Sequence, residues 1–185
     1  MRRVCVFCGA AAGNDPRYAA AADELGRSLA ARSVELVTGG GKVGLMGVVA
    51  DAALAAGGRV IGVIPRFLEE REVAHRGLTE LHVVESLHER KALMHELSSA
   101  FVALPGGFGT LDELMESITW AQLGLHAKPI GIVNVAGYFD ELLSFVEGAR
   151  SAGFIPAAHG EILTVRDDAI ALVEALTHER LPDEV

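Results

Sequence analysis

The sequence predicts an α/β protein, specifically a Rossmann-like doubly wound parallel sheet with helices on both faces. Short segments rich in Val and Ile alternate with segments whose apolar residues recur at helical spacing. The strand-like segments are apolar almost throughout, which is typical of strands buried on both faces of a parallel sheet. Glycine clusters also follow several of these segments, and such sheets bind ligands beyond the carboxyl ends of their strands.

Seven segments are predicted to be strands because β-branched and other apolar residues dominate them. They are residues 3–7, 34–38, 59–65, 81–85, 100–105, 129–135 and 161–165. Helical patterns follow most of them, and no repeat, low-complexity tract or linker interrupts the chain. We therefore expect a single Rossmann-like domain over residues 1–185.

The predicted helices have local boundary signals. Asp15 and Pro16 provide an N-cap and a proline at the first helical position. Residues 44–56 are expected to form a helix of small residues that ends at the glycine pair 57–58. Two further helices are expected, one over residues 86–99 and one after the strand at 100–105.

Composition restricts the partners and the location of the protein. The formal net charge of −9 argues against nucleic acid or an anionic membrane as the main partner, although a locally positive pocket can still hold a small anion. The apolar run at the N-terminus breaks at Gly9, which is short for a signal peptide. No run reaches the roughly eighteen apolar residues of a membrane span. A cytoplasmic protein is expected.

Cysteine and histidine give no metal motif. Cys5 and Cys8 form a C-x-x-C, for which a redox or zinc role is conceivable, but no second cysteine pair exists. Val6 and Phe7 between them are typical of a strand interior, so two core thiols are the favoured interpretation. The seven histidines lack metal-ligand spacing. Neither a metal nor a cofactor is predicted.

Three glycine-rich loops, at residues 8–13, 39–47 and 105–110, are expected to line one crevice at the carboxyl edge of the sheet. Several glycines before a helix suggest close approach of an anion to the helix N-terminus. Established nucleotide motifs fit poorly, because the first loop lacks G-x-G-x-x-G. A P-loop needs a glycine six residues before its lysine and Ser or Thr directly after it, but Lys42 has Leu36 and Val43 at these positions.

The loops "GGGKVGLMG" and "LPGGFGTLDE", with "ERK" at 89–91 between them, resemble the LOG family of cytokinin-activating phosphoribohydrolases. Residues 105–113 match the family signature P-G-G-x-G-T-x-x-E in full. The resemblance implies a Rossmann-like fold and a homodimer with sites near the interface. It also implies hydrolysis of N6-substituted adenosine monophosphates, with AMP as a further substrate, to free base and ribose 5-phosphate.

The resemblance implies catalytic roles for Arg90 and Glu113. It further implies substrate contacts at Glu72, Lys91, Gly107, Phe108, Gly109, Thr110, Leu111, Asp112 and Thr119. The glycine loops and their neighbours add Gly9, Gly40, Gly41, Gly106, Met46 and Glu116 as candidate substrate-binding residues. Met46 fits the core as well as a pocket wall, and Glu116 fits a solvated helix face as well as a site. Family members commonly have two serines where this chain has Ala10 and Ala11.

Glu113 has two interpretations. Cleavage of an N-glycosidic bond develops positive charge on the sugar, which a carboxylate can stabilise while a cation holds the phosphate. However, Thr110-x-x-Glu113 is also a capping-box pattern, as is Ser86-x-x-Glu89, for which capping is a sufficient explanation. The residues alone leave the choice for Glu113 open, and the resemblance favours catalysis.

Two other functions remain to be weighed. A carrier of a phosphorylated ligand such as molybdenum cofactor would need the anion-binding loops but no carboxylate at position 113. A lysine decarboxylase would need a lysine that bears pyridoxal phosphate. None of Lys42, Lys91 and Lys128 lies in a recognisable setting for that cofactor.

Overall fold

The computed structural model describes residues 3–69, 74–156 and 162–178. In this part of the chain seven strands form one sheet in the order β4-β3-β2-β1-β5-β6-β7, and every neighbouring pair is parallel. The strands are β1 Arg3–Phe7, β2 Glu35–Thr38, β3 Val60–Pro65, β4 Glu80–Val84, β5 Ala100–Ala103, β6 Ile130–Val133 and β7 Leu163–Arg166. The predicted doubly wound α/β fold is confirmed.

Helices connect the strands. They are α1 Pro16–Ala31, α2 Gly44–Ala55, α3 Arg66–Glu69, α4 Leu87–Leu97, α5 Phe108–Gln122, α6 Asp140–Ser151 and α7 Ala169–His178. The sequence did not predict α3 or the short 3-10 helix Val135–Gly137. Part of the strand predicted at 161–165 lies outside the described residues.

Two apolar cores cover the two faces of the sheet. Helices α1, α2 and α7 pack on one face through aliphatic residues such as Leu25 and Val49. Helices α4, α5 and α6 cover the other face, where Met94 and Leu114 pack against Phe101 of β5. Because helices cover both faces of the sheet, the strands carry apolar residues on both faces. Within the described ranges, no helix is long and apolar enough to cross a membrane.

The predicted boundary signals of the first two helices are confirmed. The Asp15 side chain accepts a hydrogen bond from the N–H of Arg17 at 2.9 Å and so caps α1, with Pro16 as its first residue. Helix α2 ends at Ala55 with Ala56 as its C-cap, and Gly57 after it adopts the left-handed conformation that helix ends favour.

The strand order reverses between β1 and β5, which pair directly in the middle of the sheet. The loops that leave their carboxyl ends therefore lie side by side, and the N–H of Gly9 donates to the carbonyl of Pro105 at 3.0 Å. This is the position at which doubly wound sheets open a ligand crevice.

Candidate active site

A cleft of about 490 Å³ opens at this reversal point. Its walls come from the loops after β1 and β5 and from the N-terminal ends of α1, α2 and α5. The lining residues are Cys8, Gly9, Ala10, Ala11, Ala12, Gly13, Tyr18, Leu45, Met46, Leu68, Arg90, Pro105, Gly106, Gly107, Gly109, Thr110, Glu113 and Tyr138. The size suits a nucleotide-sized ligand.

The start of α5 forms one wall of the cleft. The helix begins at Phe108 after Gly107, which occupies the N-cap position without a side-chain hydrogen bond. In the described part of the chain, the N–H groups of Phe108, Gly109 and Thr110 have no carbonyl partner, and the first regular bond runs from Leu111 to the carbonyl of Gly107 at 3.1 Å. Free N–H groups and the positive end of the helix dipole favour an anion here.

The capping-box interpretation of Thr110 and Glu113 is wrong. Thr110 is the third residue of α5 rather than its N-cap, because the helix extends further back into the glycine loop. The other proposed cap is present, since Ser86 Oγ accepts from the N–H of Glu89 at 3.1 Å. The Glu89 carboxylate in turn accepts from the N–H of Glu85 at 2.9 Å.

Arg90 and Glu113 face each other across the cleft wall. Their side chains are only 12% and 13% exposed, and Arg90 Nη2 lies 3.7 Å from Glu113 Oε1, which is too far for a hydrogen bond. Burial raises the pKa of Glu113 to about 7, with Asp112 and Glu116 adding to the rise and Arg90 and Lys91 opposing it.

The guanidinium of Arg90 packs against Gly39 in the loop after β2. A Cβ on Gly39 would collide with the Arg90 guanidinium, so the loop after β2 leaves room for that group. The Nε–H of Arg90 is buried and has no partner among the described residues. A buried donor of this kind beside the unbonded N–H groups of α5 is available to a ligand.

Lys91 lies next to Arg90 but does not line the cleft. Its Nζ is 3.0 Å from Asp112 Oδ2 and 3.0 Å from Glu116 Oε1. Burial lowers its pKa, but the hydrogen bonds that Lys91 donates to Glu116 and Asp112 outweigh burial and raise the pKa overall. The three charges connect α4 to α5 beside the Arg90–Glu113 pair.

The other candidate residues separate into two groups. Gly9, Met46, Gly106, Gly107, Gly109 and Thr110 line the cleft. Gly40, Gly41, Phe108, Leu111 and Thr119 do not line the cleft, and Glu72 lies outside the described residues.

Each residue of the second group has another environment. Gly40 packs against Ile64 and Leu81, and Gly41 pairs with Ala74. Phe108 is 93% exposed, and the hydroxyl of Thr119 donates to the carbonyl of Met115 at 2.7 Å. Leu111 packs on the core beneath α5.

The sequence-based reasoning missed Tyr18, Leu68 and Tyr138 as lining residues. Tyr138 follows β6 at its carboxyl end, so the rule that pointed to the glycine loops also applies to it. Tyr18 lies in the first turn of α1, and Leu68 belongs to helix α3, which the sequence did not predict.

The C-x-x-C pair is structural. Cys5 and Cys8 are free thiols and are buried in the two cores, and burial raises the pKa of both thiols. The favoured interpretation as core thiols is confirmed. Among the residues that the structure describes, no group of three or more His, Cys, Asp or Glu side chains could hold a metal ion.

Fold and cleft together define a Rossmann-like α/β protein with a glycine-lined crevice at its topological switch point. A sequence model of a protein family described as "Possible lysine decarboxylase" matches residues 46–176. The probable cytokinin riboside 5′-monophosphate phosphoribohydrolase LOGL9 of Oryza sativa is 55% identical over 95% of this chain and 78% of its own length. The chain belongs to this family, the LOG family that the glycine motifs predicted.

Other similar proteins agree on the family and the fold. The cytokinin riboside 5′-monophosphate phosphoribohydrolase LOG1 of Arabidopsis thaliana is 49% identical over 95% of this chain and 83% of its own length. A molybdenum cofactor carrier protein from Chlamydomonas reinhardtii superposes with a TM-score of 0.72 at 23% identity, covering 97% of this chain and 99% of that one. The molybdenum cofactor binding protein of Rippkaea orientalis gives 0.73 at 20% identity, with 96% of both chains covered. At these identities the two structures establish the fold alone.

Proposed function

We propose that the protein hydrolyses the N-glycosidic bond of N6-substituted adenosine 5′-monophosphates, and of AMP, to the free base and ribose 5-phosphate. The observation that carries the proposal is the buried Arg90–Glu113 pair beside the uncapped, glycine-rich start of α5. Relatives about half identical over most of the chain are named as phosphoribohydrolases of cytokinin riboside 5′-monophosphates, which supports the same reaction.

Each part of the cleft has a chemical task in this reaction. The N–H groups at the start of α5, together with Arg90, bind the 5′-phosphate. As the bond from C1′ to the base nitrogen breaks, positive charge develops on the ribose, and ionised Glu113 stabilises it. Water then forms the new C1′–O bond, one of its protons goes to the departing base, and ribose 5-phosphate remains.

The proposed substrate contacts follow the position of each residue. Gly9, Gly106, Gly107, Gly109 and Thr110 surround the phosphate, and Met46 forms a wall of the base pocket. This assignment is supported by their place in the cleft lining. Lys91 forms ion pairs with both Asp112 and Glu116, so we assign these three residues to positioning Glu113 rather than to direct contact.

Thr119 raises the question of a second subunit. It lies nine residues beyond Thr110 on α5, about 13 Å along the helix axis, and is exposed. A substrate contact at Thr119 therefore requires the cleft of another copy of the chain. We propose a homodimer that brings the two together.

The helices of the α4–α6 layer support the homodimer. In α6 no described side chain is buried, and in α4 only Met94 and His95 are. By contrast, α2 buries seven of its residues on the opposite face. Half-buried Leu93, Leu97, Leu111, Met115 and Ile118 lie along α4 and α5. A second copy packed on this layer would complete their burial.

The two alternative functions have less support. A carrier needs no buried carboxylate at position 113, and its resemblance to this chain rests on the fold. For the decarboxylase, Lys91 is paired with two carboxylates and Lys128 Nζ donates to the carbonyl of His95 at 2.6 Å. None of the three lysines lines the described cleft, so the residues do not fit pyridoxal phosphate.

We also propose a single domain over residues 1–185 and a cytoplasmic location. The continuous sheet in the described ranges supports the first proposal. The two free thiols support the second, because reduced cysteines are usual in a reducing compartment.

The test is to incubate the protein with isopentenyladenosine 5′-monophosphate, AMP and the corresponding nucleosides, and to assay free base and ribose 5-phosphate. We expect release from the monophosphates and little from the nucleosides, because the anion site contributes to binding. A folded protein that releases neither product from any monophosphate would refute the enzyme assignment.

A further inference from the structure

The geometry points to Tyr138 as a positioning residue of the phosphate site, an inference that rests on the proposed function. The Tyr138 hydroxyl donates to the carbonyl oxygen of Gly106 at 2.6 Å, within the signature loop that precedes α5. We propose that this bond holds the peptide between Gly106 and Gly107 in the orientation that an incoming phosphate requires. The residue lies 25 positions beyond the signature and outside every motif discussed above.

The first argument comes from the carbonyl groups of the loop. The carbonyl of Pro105 accepts from the N–H of Gly9 at 3.0 Å, and that of Gly107 accepts from Leu111 at 3.1 Å. Only the Gly106 carbonyl depends on a side chain, and that side chain is Tyr138. Each of the three carbonyl oxygens thus accepts a hydrogen bond from a donor within the protein, which directs the carbonyls to the protein and leaves the N–H groups for an anion.

The second argument comes from peptide geometry. The carbonyl of Gly106 and the N–H of Gly107 belong to one planar trans peptide, so they point in opposite directions. A donor fixed on the carbonyl therefore also fixes the direction of that N–H. Glycines on both sides leave the peptide free to rotate when the hydroxyl is absent.

The third argument comes from the turn that precedes Tyr138, which keeps an energetically unfavourable backbone conformation. Ala136 has a φ of 58°, which is unfavourable for a residue with a Cβ, and the turn continues through Gly137 at 70°. The Asn134 side chain fixes the turn, since it accepts from the N–H of Phe139 at 2.8 Å and donates to Asp140 Oδ1 at 2.7 Å. The next residue, Phe139, is buried and anchors the turn in the core.

The Tyr138 ring also connects the two loops of the cleft. It meets the Tyr18 ring edge-on, with centroids 5.5 Å apart, and the Tyr18 ring packs against Gly13 of the loop after β1. Replacing Tyr138 by Phe preserves this ring contact and removes only the hydroxyl. The variant is therefore expected to fold like the wild type.

The experiment compares wild type with Tyr138→Phe, which keeps the ring and lacks only the hydroxyl. Ribose 5-phosphate binding is measured by calorimetry, and kcat and KM are measured for AMP. In Tyr138→Phe we expect ribose 5-phosphate to bind about tenfold more weakly and KM to rise in parallel, with kcat within about twofold of wild type. Adenine should inhibit both proteins equally, because its site is separate from the loop.

Two results would overturn the inference while leaving the proposed function intact. One is unchanged ribose 5-phosphate affinity in Tyr138→Phe when the wild type binds it and cleaves AMP. The other is a loss of adenine affinity in Tyr138→Phe as large as the loss for ribose 5-phosphate, which would show a general change of the cleft rather than the effect of the lost Gly106 bond. A wild type that neither binds ribose 5-phosphate nor cleaves AMP would instead refute the proposed function and this inference with it.

Discussion

Glu113 combines burial with a distant cation, and this combination sets its chemistry. The Arg90 guanidinium is near enough to oppose the effect of burial on the pKa of Glu113, but at 3.7 Å it does not form a hydrogen bond that would fully stabilise the charge. The carboxylate therefore ionises near neutral pH. A carboxylate that is poorly solvated in the free protein interacts more strongly with a cation that develops beside it.

The first prediction concerns the pH dependence of activity and stability. Because the proposed reaction needs ionised Glu113, kcat/KM should fall as the pH drops below about 7. Folding raises this pKa above the usual 4.5, so the contribution of Glu113 to stability is fully present below about pH 4.5. It is lost as the pH rises through about 7.

Urea unfolding in phosphate-free buffer measures the predicted pH dependence of stability. The free energy of unfolding of the wild type should decline relative to that of Glu113→Gln between pH 5 and pH 8, since Gln does not titrate. Parallel pH profiles for the two proteins would show that Glu113 is not perturbed.

The second prediction concerns Arg90. Arg90→Ala removes a charge-assisted phosphate contact of about 1.5–3 kcal/mol, so kcat/KM for AMP should fall at least about tenfold. The preference for AMP over adenosine should shrink by a similar factor. Arg150→Ala is the control, because Arg150 pairs with Glu147 on α6 away from the cleft. An undiminished preference for AMP would place the phosphate elsewhere.

At the scale of single elements, the strands could be predicted from sequence more accurately than the start of α5. Buried parallel strands need apolar residues on both faces, and this requirement is visible in segments such as 3–7 and 34–38. The N-cap at Gly107 has no side chain to signal it, whereas Thr110 offers a misleading capping pattern. Helix starts that bind anions are therefore difficult to predict from cap residues.

The contacts between elements were harder still to predict. The ion pairs of Lys91 with Asp112 and Glu116 join residues over twenty positions apart, and only the packing of α4 beside α5 brings them together. The turn at 134–139 has no periodicity, so the only sequence signal for Tyr138 as a cleft residue is its position after the carboxyl end of β6. The signature loop and Arg90 were recognisable because their motifs are local.

The third prediction concerns the edge of the sheet opposite the cleft. Buried Glu35, at the start of β2, pairs with Arg3 at 2.6 Å and Arg59 at 2.8 Å. The Arg3 hydrogen bond is the main cause of the lowered pKa of Glu35. Glu35→Gln should reduce the free energy of unfolding by about 1–2 kcal/mol, a modest loss because both arginines are partly solvated.

Urea denaturation at pH 7 gives this change, and steady-state kinetics should show KM for AMP unaltered. Glu147→Gln serves as the matched control, because its ion pair with Arg150 is exposed. A loss for Glu35→Gln no larger than for Glu147→Gln would show that the buried pair does not stabilise the sheet.

At the scale of the whole molecule, the two faces of the sheet are covered unequally. Helices α1 and α2 bury six and seven residues, whereas α4 buries two, α5 buries three and α6 buries none of its described residues. Leu123 and Leu125, just after α5, are 67% and 68% exposed. The cleft lies above both layers, so a partner on the α4–α6 layer would come close to it.

The fourth prediction tests this dimer. The double variant with Leu123→Asp and Leu125→Asp should be a monomer, because the core of an interface excludes unpaired charge. Sedimentation velocity measures this change. Ile170→Asp, on the opposite layer, should leave the dimer intact. A wild type that is a fully active monomer would refute the dimer, and an unaffected double variant would move the interface away from the end of α5.

The most direct test of the central claim, that Glu113 is the catalytic carboxylate of a phosphoribohydrolase, is the turnover of isopentenyladenosine 5′-monophosphate by Glu113→Gln. The amide preserves the shape of the side chain, so ribose 5-phosphate should still bind and the melting temperature should not fall. Turnover should drop by about two orders of magnitude or more, because the negative charge opposite the developing oxocarbenium ion is gone. Turnover that stays close to that of the wild type, or that is lost only through unfolding, would contradict the account and would direct the search for the carboxylate to Glu116.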